Sequence, residues 1–95
     1  MNALQNSLFP LGRLLATPGA QDAMVASGDD PAAILSRHAS GDWGDVDEED
    51  RNANDQAVLD MTRIMSAYAL KDGNRVWVIT EADRSATTFL LPDEY

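Results

Sequence analysis

The spacing of hydrophobic residues divides the chain into a helical part over residues 17–61 and a strand-rich part over residues 63–92. Apolar residues recur at helical intervals in the first part, whereas short apolar runs separated by turn residues follow from Ile64 onward. An apolar segment, residues 1–16, precedes both parts. The pattern predicts one small α+β domain over residues 1–95, with about three short N-terminal helices followed by a three-stranded antiparallel β-meander.

Two start signals of the same kind predict the first two helices. Thr17-Pro18 combines an N-cap residue with a proline at the first helical position, and Gly28 is the expected C-terminal glycine. Asp30-Pro31 repeats the start signal for a second helix, which we expect to end near Gly41. The two helices are therefore predicted to form a helical hairpin.

The third helix is predicted to begin after Asp45, which has capping-box spacing to Glu48. It is expected to continue to about Met61. Because its apolar face is weak, we expect this helix to pack at an edge of the fold rather than through its centre.

The segment before the helices is interrupted by Pro10 and Gly12. We expect a short helix or turn over residues 4–16, followed by an apolar plug. Leu14 and Leu15 keep helical spacing with Leu11, which predicts that these three side chains enter the core.

The strand-rich part contains a strong hairpin signal at Asp72-Gly73. A two-residue type I′ turn at these positions would place Tyr68 opposite Trp77. A third strand is predicted over residues 85–91, ending at Pro92.

Charge narrows the set of partners. Sixteen acidic residues face seven Lys and Arg residues, for a net charge of -9. Such a chain repels nucleic acid and anionic lipid, so the sequence predicts a basic protein surface as the partner, with no direct nucleic-acid or membrane binding. The alternative is that the charge only keeps the protein soluble. The helical hairpin is no exception, because Asp29 and Asp30 stand at the entrance of its second helix. The lack of cysteine and of a long apolar run favours a cytoplasmic location.

The densest acidic segment is the candidate partner-binding site. Its members are Asp42, Trp43, Asp45, Asp47, Glu48, Glu49 and Asp50. One interpretation is a phosphate-like array of carboxylates that attracts the basic groove of a DNA-handling protein. The other is that these acids only stabilise the dipole at the start of the third helix. Trp43 likewise has two interpretations, a buried anchor for the loop or an exposed hot spot of an interface.

No metal or cofactor site is predicted. A calcium loop starting at Asp45 would need glycine where Asp50 stands and glutamate where Gln56 stands. A glycine-rich phosphate loop is also lacking.

The chain is not expected to be an enzyme. His38 is its only histidine, and neither a cysteine nor a nucleophile motif accompanies it, so a catalytic triad cannot be assembled. A structural role for His38 is the simpler interpretation. A weak alternative is a hydrolase or ligand-binding role that uses Asp83, Arg84 and His38, whereas turn chemistry with an exposed ion pair is the preferred interpretation of Asp83 and Arg84.

Two segments resemble a group of small, uncharacterised acidic bacterial proteins found on plasmids and integrated elements. The first segment is residues 38–45 with Glu48, Glu49 and Asp50, and the second is residues 76–85 with residues 90–95. Some members of the group carry plasmid-related or restriction-system names. The resemblance implies a mobile-element setting. It implies no mechanism, because the group has no established activity.

These observations lead to a functional hypothesis. The chain is expected to be a non-catalytic accessory protein that binds a basic partner, with a DNA-mimic-like inhibitor as the specific form of this hypothesis. The alternative is a small structural or regulatory homodimer that acts through an apolar patch or a sheet edge. The strand over residues 85–91 is the candidate edge for that alternative.

Overall fold

The computed structural model describes residues 7–95. Within them lie four β-strands, three α-helices and a short C-terminal 3₁₀ helix. In chain order these are β1 (Arg13–Ala16), α1 (Pro18–Ser27), α2 (Pro31–Ala39), α3 (Glu48–Asp60), β2 (Ile64–Ala69), β3 (Arg75–Thr80), β4 (Ala86–Leu90) and the 3₁₀ helix (Pro92–Glu94).

The sheet has four strands in the order β1-β4-β3-β2, and β1 runs parallel to β4. The chain is therefore α+β with three helices between strands and a mixed sheet, and the predicted three-stranded antiparallel meander is wrong. The error arises at β1. Its four residues are too few to show a period of two, and their leucines fit a helical spacing equally well.

β1 also overturns the prediction for the N-terminal segment. Leu14 and Leu15 are exposed on this strand instead of entering the core. Leu11 is partly buried and packs against the core. The first part of the predicted helix or turn, residues 4–6, lies outside the described residues.

The β2–β3 hairpin is one residue out of the predicted register. Tyr68 pairs with Val76, and Trp77 pairs with Ala67. The connection spans residues 70–74 instead of a two-residue turn. A one-residue shift exchanges the two faces of a strand, so Tyr68 joins the core under the helices and Trp77 lies on the opposite face.

The reason lies in the turn. A type I′ turn needs positive φ at both central residues, but only Gly73 has one here, at +91°. Asp72 instead accepts the main-chain N–H of Asn74 on its side chain at 3.0 Å. The N–H of Leu70 then bonds the carbonyl of Asn74 at 2.7 Å, which closes a longer loop.

The predicted limits of α1 and α2 are confirmed. Thr17 caps α1 through its hydroxyl, which accepts the N–H of Ala20, and Gly28 ends this helix with φ +75°. Asp30 caps α2 by accepting the N–H of Ala32. Both helices begin with proline, as the start signals predicted.

α3 begins two residues later than the predicted capping box. Asp47 is its N-cap and accepts the N–H of Asp50 at 2.7 Å, whereas Asp45 lies in the preceding loop. Among the strands, α3 has its main contacts with β2, the last strand of the sheet, which confirms packing at an edge. Only Asn54 and Ala57 of its side chains are buried.

Two apolar clusters hold these elements together. The larger joins α1 and α2 to one face of the sheet, with Met24, Leu35, Tyr68, Val78 and Phe89 among its members. The smaller lies under α3 and consists of Phe9, Trp43, Ala57 and Ile64. The acidic loop of residues 42–47 therefore sits over the smaller cluster, next to β2.

Candidate functional site

The first part of the acidic segment is a loop that lies along the edge of β2. Ala67 donates its N–H to the carbonyl of Trp43 at 3.1 Å and accepts the N–H of Asp45 at 2.7 Å. Gly44 forms a parallel bridge to Ala67, with φ at +75°. A Cβ at this glycine would lie 2.1 Å from the Ala67 carbonyl oxygen, so only glycine fits this close approach.

Trp43 is the buried anchor of this loop and is 3% exposed. Its ring stacks on Phe9 with centroids 6.2 Å apart and meets His38 edge-on at 6.0 Å. The indole N–H donates to the carboxylate of Asp55 on α3 at 2.9 Å. Trp43 therefore fixes the loop against α3, and its ring is inside the protein rather than on the surface where an interface hot spot lies.

The two carboxylates that flank Trp43 are paired with arginines of the same chain. Arg37 binds Asp42 with its Nε at 2.7 Å and Nη2 at 3.3 Å, and these hydrogen bonds lower the pKa of Asp42. Arg75 approaches Asp45 at 3.5 Å. Each pairing offsets one negative charge, so Asp42 and Asp45 contribute less to the acidic field than the sequence predicted.

Tyr68 contacts both members of the Arg37–Asp42 pair. Its hydroxyl donates to the main-chain carbonyl of Asp42 at 2.6 Å, and the Arg37 guanidinium lies 4.6 Å from the centre of its ring. Burial raises the pKa of Tyr68 to about 12. The phenol thus stays protonated and keeps donating at physiological pH.

The remaining acids belong to α3. Five of its thirteen residues are acidic and one, Arg51, is basic. Four of these acids are exposed outside the side that carries Asn54 and Ala57, and we call them the acidic face of α3: Glu48, Glu49, Asp55 and Asp60. Asp55 lies at the border of this face, because its carboxylate also accepts the indole N–H of Trp43. Neither of the two ion pairs found among residues 7–95 involves α3, so the charge of this face is uncompensated.

Arg84 occupies a position that the sequence did not predict. It is buried, with φ +61°, and its guanidinium donates to the carbonyls of Ala57, Thr62 and Glu81. These bonds join the last turn of α3 to the β3–β4 turn. The predicted exposed ion pair at this residue is wrong, because Arg84 is used inside the protein to fix the C-terminal end of α3.

His38 lies at the centre of a buried polar chain. Nδ1 is 2.6 Å from the Ser66 hydroxyl and Nε2 is 2.8 Å from that of Thr80, which lies 2.7 Å from Thr87. Thr87 donates to the carbonyl of Leu11, which can only accept. Thr80 must therefore donate to Thr87 and Nε2 to Thr80, so the neutral ring carries its proton on Nε2.

The hydrogen-bonded side chains of His38, Ser66, Thr80 and Thr87 lie inside the protein, away from solvent. His38, Ser66 and Thr80 are fully buried, and burial lowers the pKa of His38 to about 4, so the ring is neutral at physiological pH. Asp83 does not join them, because it is exposed and accepts the N–H of Ser85. The residues of the weak hydrolase alternative are therefore not assembled into a site.

The sequence analysis did not predict these hydrogen bonds around His38, although the sequence contains a signal for them. Ser66, Thr80 and Thr87 occupy strand positions that point under the helices, where the neighbouring positions of the same alternation are apolar. Hydroxyls on the buried face of a sheet need hydrogen-bond partners. The single histidine, on a helix that covers that face, supplies two of them.

Neither the family models nor the curated proteins nor the solved structures that were compared contain a match to this chain. The resemblance to plasmid and integrated-element proteins thus stays a prediction. Within residues 7–95, no three His, Asp or Glu side chains are grouped to hold a metal ion. Of the helices formed by these residues, none has the length and apolar character that crossing a membrane requires.

Proposed function

We propose that this chain is a non-catalytic, cytoplasmic protein that binds a basic surface of a partner through the acidic face of α3. The observation that carries the proposal is the uncompensated charge of that face. A thirteen-residue helix that buries only two side chains contributes little to the core, yet it carries five acids and one base. The helix needs only the Asp47 carboxylate as its N-terminal cap, and Asp47 precedes the helix, so capping does not account for the acids of α3.

The arrangement of the carboxylates supports a DNA-handling protein as the partner. The acids of α3 run from its first residue to its last, a length of about 18 Å at about 1.5 Å per residue. The acids at both ends of this length present negative charge along the helix, as phosphates do along a nucleic-acid backbone. A groove that binds a nucleic-acid backbone would attract such a helix, as in a DNA-mimic inhibitor in a mobile-element setting.

The test compares two variants of equal charge. E48Q/E49Q/D60N neutralises three carboxylates of the acidic face and leaves the Asp47 cap and the Asp55–Trp43 bond intact. D22N/E81Q/D93N removes three exposed acids from other elements as the matched control. Each tagged protein is used to capture partners from a bacterial lysate at low and high salt, and each partner is then identified and its Kd measured against salt.

We expect a basic partner that the parent and the control retain at low salt and that E48Q/E49Q/D60N loses. The dependence of its Kd on salt should also become shallower in that variant, because fewer charges take part in binding. Equal affinity of both variants for the partner would refute the role of α3. A partner whose Kd does not change with salt concentration would refute the electrostatic mechanism as well.

A further inference from the structure

Among residues 7–95, the apolar clusters under the three helices use only one face of the sheet. Val76 and Val78 of β3 belong to the larger cluster. Because neighbouring residues of a strand point to opposite faces, Trp77 and Ile79 of the same strand lie on the other face, and neither cluster contains them. We call this second side of the sheet the helix-free face.

The centre of the helix-free face is nevertheless buried. Ile79 is 4% exposed and Leu90 is 8% exposed, although neither packs in a cluster under the helices. Ile79 pairs with Met65, and the next row of this face contains Trp77 paired with both Ala67 and Leu90. These side chains are therefore covered by a part of the chain other than the helices.

The cover is the segment of residues 92–95, which we call the strap. Tyr95 meets the ring of Trp77 edge-on with the centroids 5.6 Å apart. The guanidinium of Arg63 lies 5.1 Å from the centre of the Tyr95 ring and donates to its hydroxyl. Arg63 directly precedes β2 and Trp77 lies further along the sheet, with the row of Ile79 between them. Tyr95 therefore lies across the buried row.

The bonds that anchor the strap are few and exposed. The carboxylate of Glu94 accepts the Thr17 hydroxyl at 2.6 Å and the main-chain N–H of Leu91 at 2.8 Å. None of the three residues of the 3₁₀ helix is buried, and Tyr95 is 63% exposed. Segments with few buried contacts and exposed hydrogen bonds open at a much lower free energy than the strands of a core. The strap can thus detach while the sheet beneath it stays folded.

We propose that the strap opens and closes over the helix-free face while the rest of the fold stays intact. Glu94 is its anchor and Tyr95 is its cover. Opening breaks both hydrogen bonds of the Glu94 carboxylate and lifts Tyr95 from Trp77. It exposes an aromatic and apolar surface around Trp77 and Ile79 that the closed state hides. The strap is a conformational device that controls access to this surface, and it uses none of the residues of the acidic face of α3.

The first experiment is native-state hydrogen exchange followed by NMR at several low concentrations of urea. The N–H of Leu91 is the reporter, because its hydrogen bond to Glu94 exists only in the closed state. We expect its protection from exchange to be at least about tenfold lower than that of the main-chain N–H groups of β3. Its rate should also be nearly independent of urea, because opening of the strap exposes little surface.

The second experiment measures acrylamide quenching of Trp77 fluorescence. Trp77→Phe supplies the background from Trp43, which is 3% exposed. We expect Glu94→Gln to raise the quenching constant of Trp77 about twofold, because a weaker anchor increases the population of the open state. Asp93→Asn, at the neighbouring exposed carboxylate, is the matched control and should leave it unchanged. Tyr95→Ala should raise quenching at least as much as Glu94→Gln.

Urea denaturation of the same variants shows whether the fold itself is affected, and we expect Glu94→Gln to unfold at nearly the same urea concentration as the parent. Two results would overturn the proposal. One is quenching of Trp77 that is the same in the parent, Glu94→Gln and Tyr95→Ala, since the strap would then not cover the ring. The other is a Leu91 N–H that exchanges with the same urea dependence as β3, because the strap would then open only when the whole protein unfolds.

Discussion

The two outer strands of the sheet differ in how far other parts of the chain cover their outward main-chain groups. β2 is covered at Ala67 by the acidic loop and at Met65 by Asn54 of α3, which bonds both main-chain groups of Met65 at 2.7 and 3.1 Å. β1 has less cover among the described residues: the Gln21 side chain donates to the Ala16 carbonyl at 3.4 Å, and the leucines of the strand are exposed. A sheet edge that is left unpaired is a template for another strand, so the difference separates a structural edge from one available for binding.

The cover over β2 also explains why several residues of the acidic segment are present. Part of what makes this segment conspicuous in the sequence is used to close the β2 edge: Gly44 approaches Ala67, Trp43 fills the smaller cluster, and Asp47 caps α3. The exposed carboxylates of the acidic face of α3 play no part in closing this edge, apart from the Asp55 bond to Trp43. The molecule therefore has a charged surface at one edge of its sheet and an apolar one at the other.

The largest expected effect is at the covered edge. Gly44→Ala places a Cβ 2.1 Å from the Ala67 carbonyl oxygen at a φ of +75°, and should lower the free energy of unfolding by about 4 kcal/mol or more. Gly73→Ala is the matched control. It also has a positive φ, but no atom lies within 4 Å of the added Cβ, so it should cost about 1 kcal/mol. Urea denaturation of both variants measures the difference, and equal costs would mean that the loop is not held against β2.

The next largest effect is expected from the buried polar side chains around His38. Their hydrogen bonds link the two edges of the sheet, because they run from Ser66 on β2 to Leu11 just before β1. Burial lowers the pKa of His38 from 6.5 to about 4, so the folded state favours the neutral ring. The resulting stability is complete above about pH 6.5 and is lost as the pH falls towards 4, and it amounts to about 3 kcal/mol.

Urea denaturation at several pH values measures this loss, and His38→Phe provides the control. The variant should be less stable at neutral pH, because Ser66 and Thr80 lose their common partner. Its stability should change less than that of the parent between pH 6.5 and 4, since only carboxylates remain to titrate there. Parallel pH profiles of the two proteins would show that His38 does not titrate with an altered pKa.

The local signals in the sequence predicted the helices well. Thr17-Pro18, Asp30-Pro31 and Gly28 act on their own neighbours, and a cap or a left-handed glycine requires little from distant residues. The β1 strand could not be predicted in this way. Its identity depends on pairing with β4 about seventy residues later, and four residues without β-branched side chains give no local preference for a strand.

The candidate site was predicted as a stretch of sequence, but its parts have different roles that depend on distant contacts. Nothing near Asp42 or Asp45 in the pattern of charges indicates that Asp45 would meet Arg75, thirty residues away. The strand over residues 85–91 was predicted as an open edge, and it is instead a central strand between β1 and β3. The predicted edge was wrong because the fourth strand had been missed.

A smaller effect is expected from Asn54. Asn54→Ala removes the side chain that bonds both the N–H and the carbonyl of Met65, and should lower the free energy of unfolding by about 2 kcal/mol. Asn52→Ala, two residues earlier on the exposed side of the same helix, is the control and should be neutral or slightly stabilising. Urea denaturation again measures both. A loss below about 0.5 kcal/mol for Asn54→Ala would indicate that water replaces the side chain at this edge.

The smallest effect is expected at the open edge. Leu14→Ala should cost less than about 1 kcal/mol, because half of the side chain is already in water, whereas Leu35→Ala in the core should cost about 2–5 kcal/mol. The measurement is urea denaturation at two protein concentrations. If Leu14→Ala instead costs as much as Leu35→Ala, and more at the higher concentration, Leu14 must be buried by a second copy in solution. The contrast between the two edges would then hold only for the isolated chain, because β1 would be covered by another molecule as completely as β2 is covered by its own loop and helix.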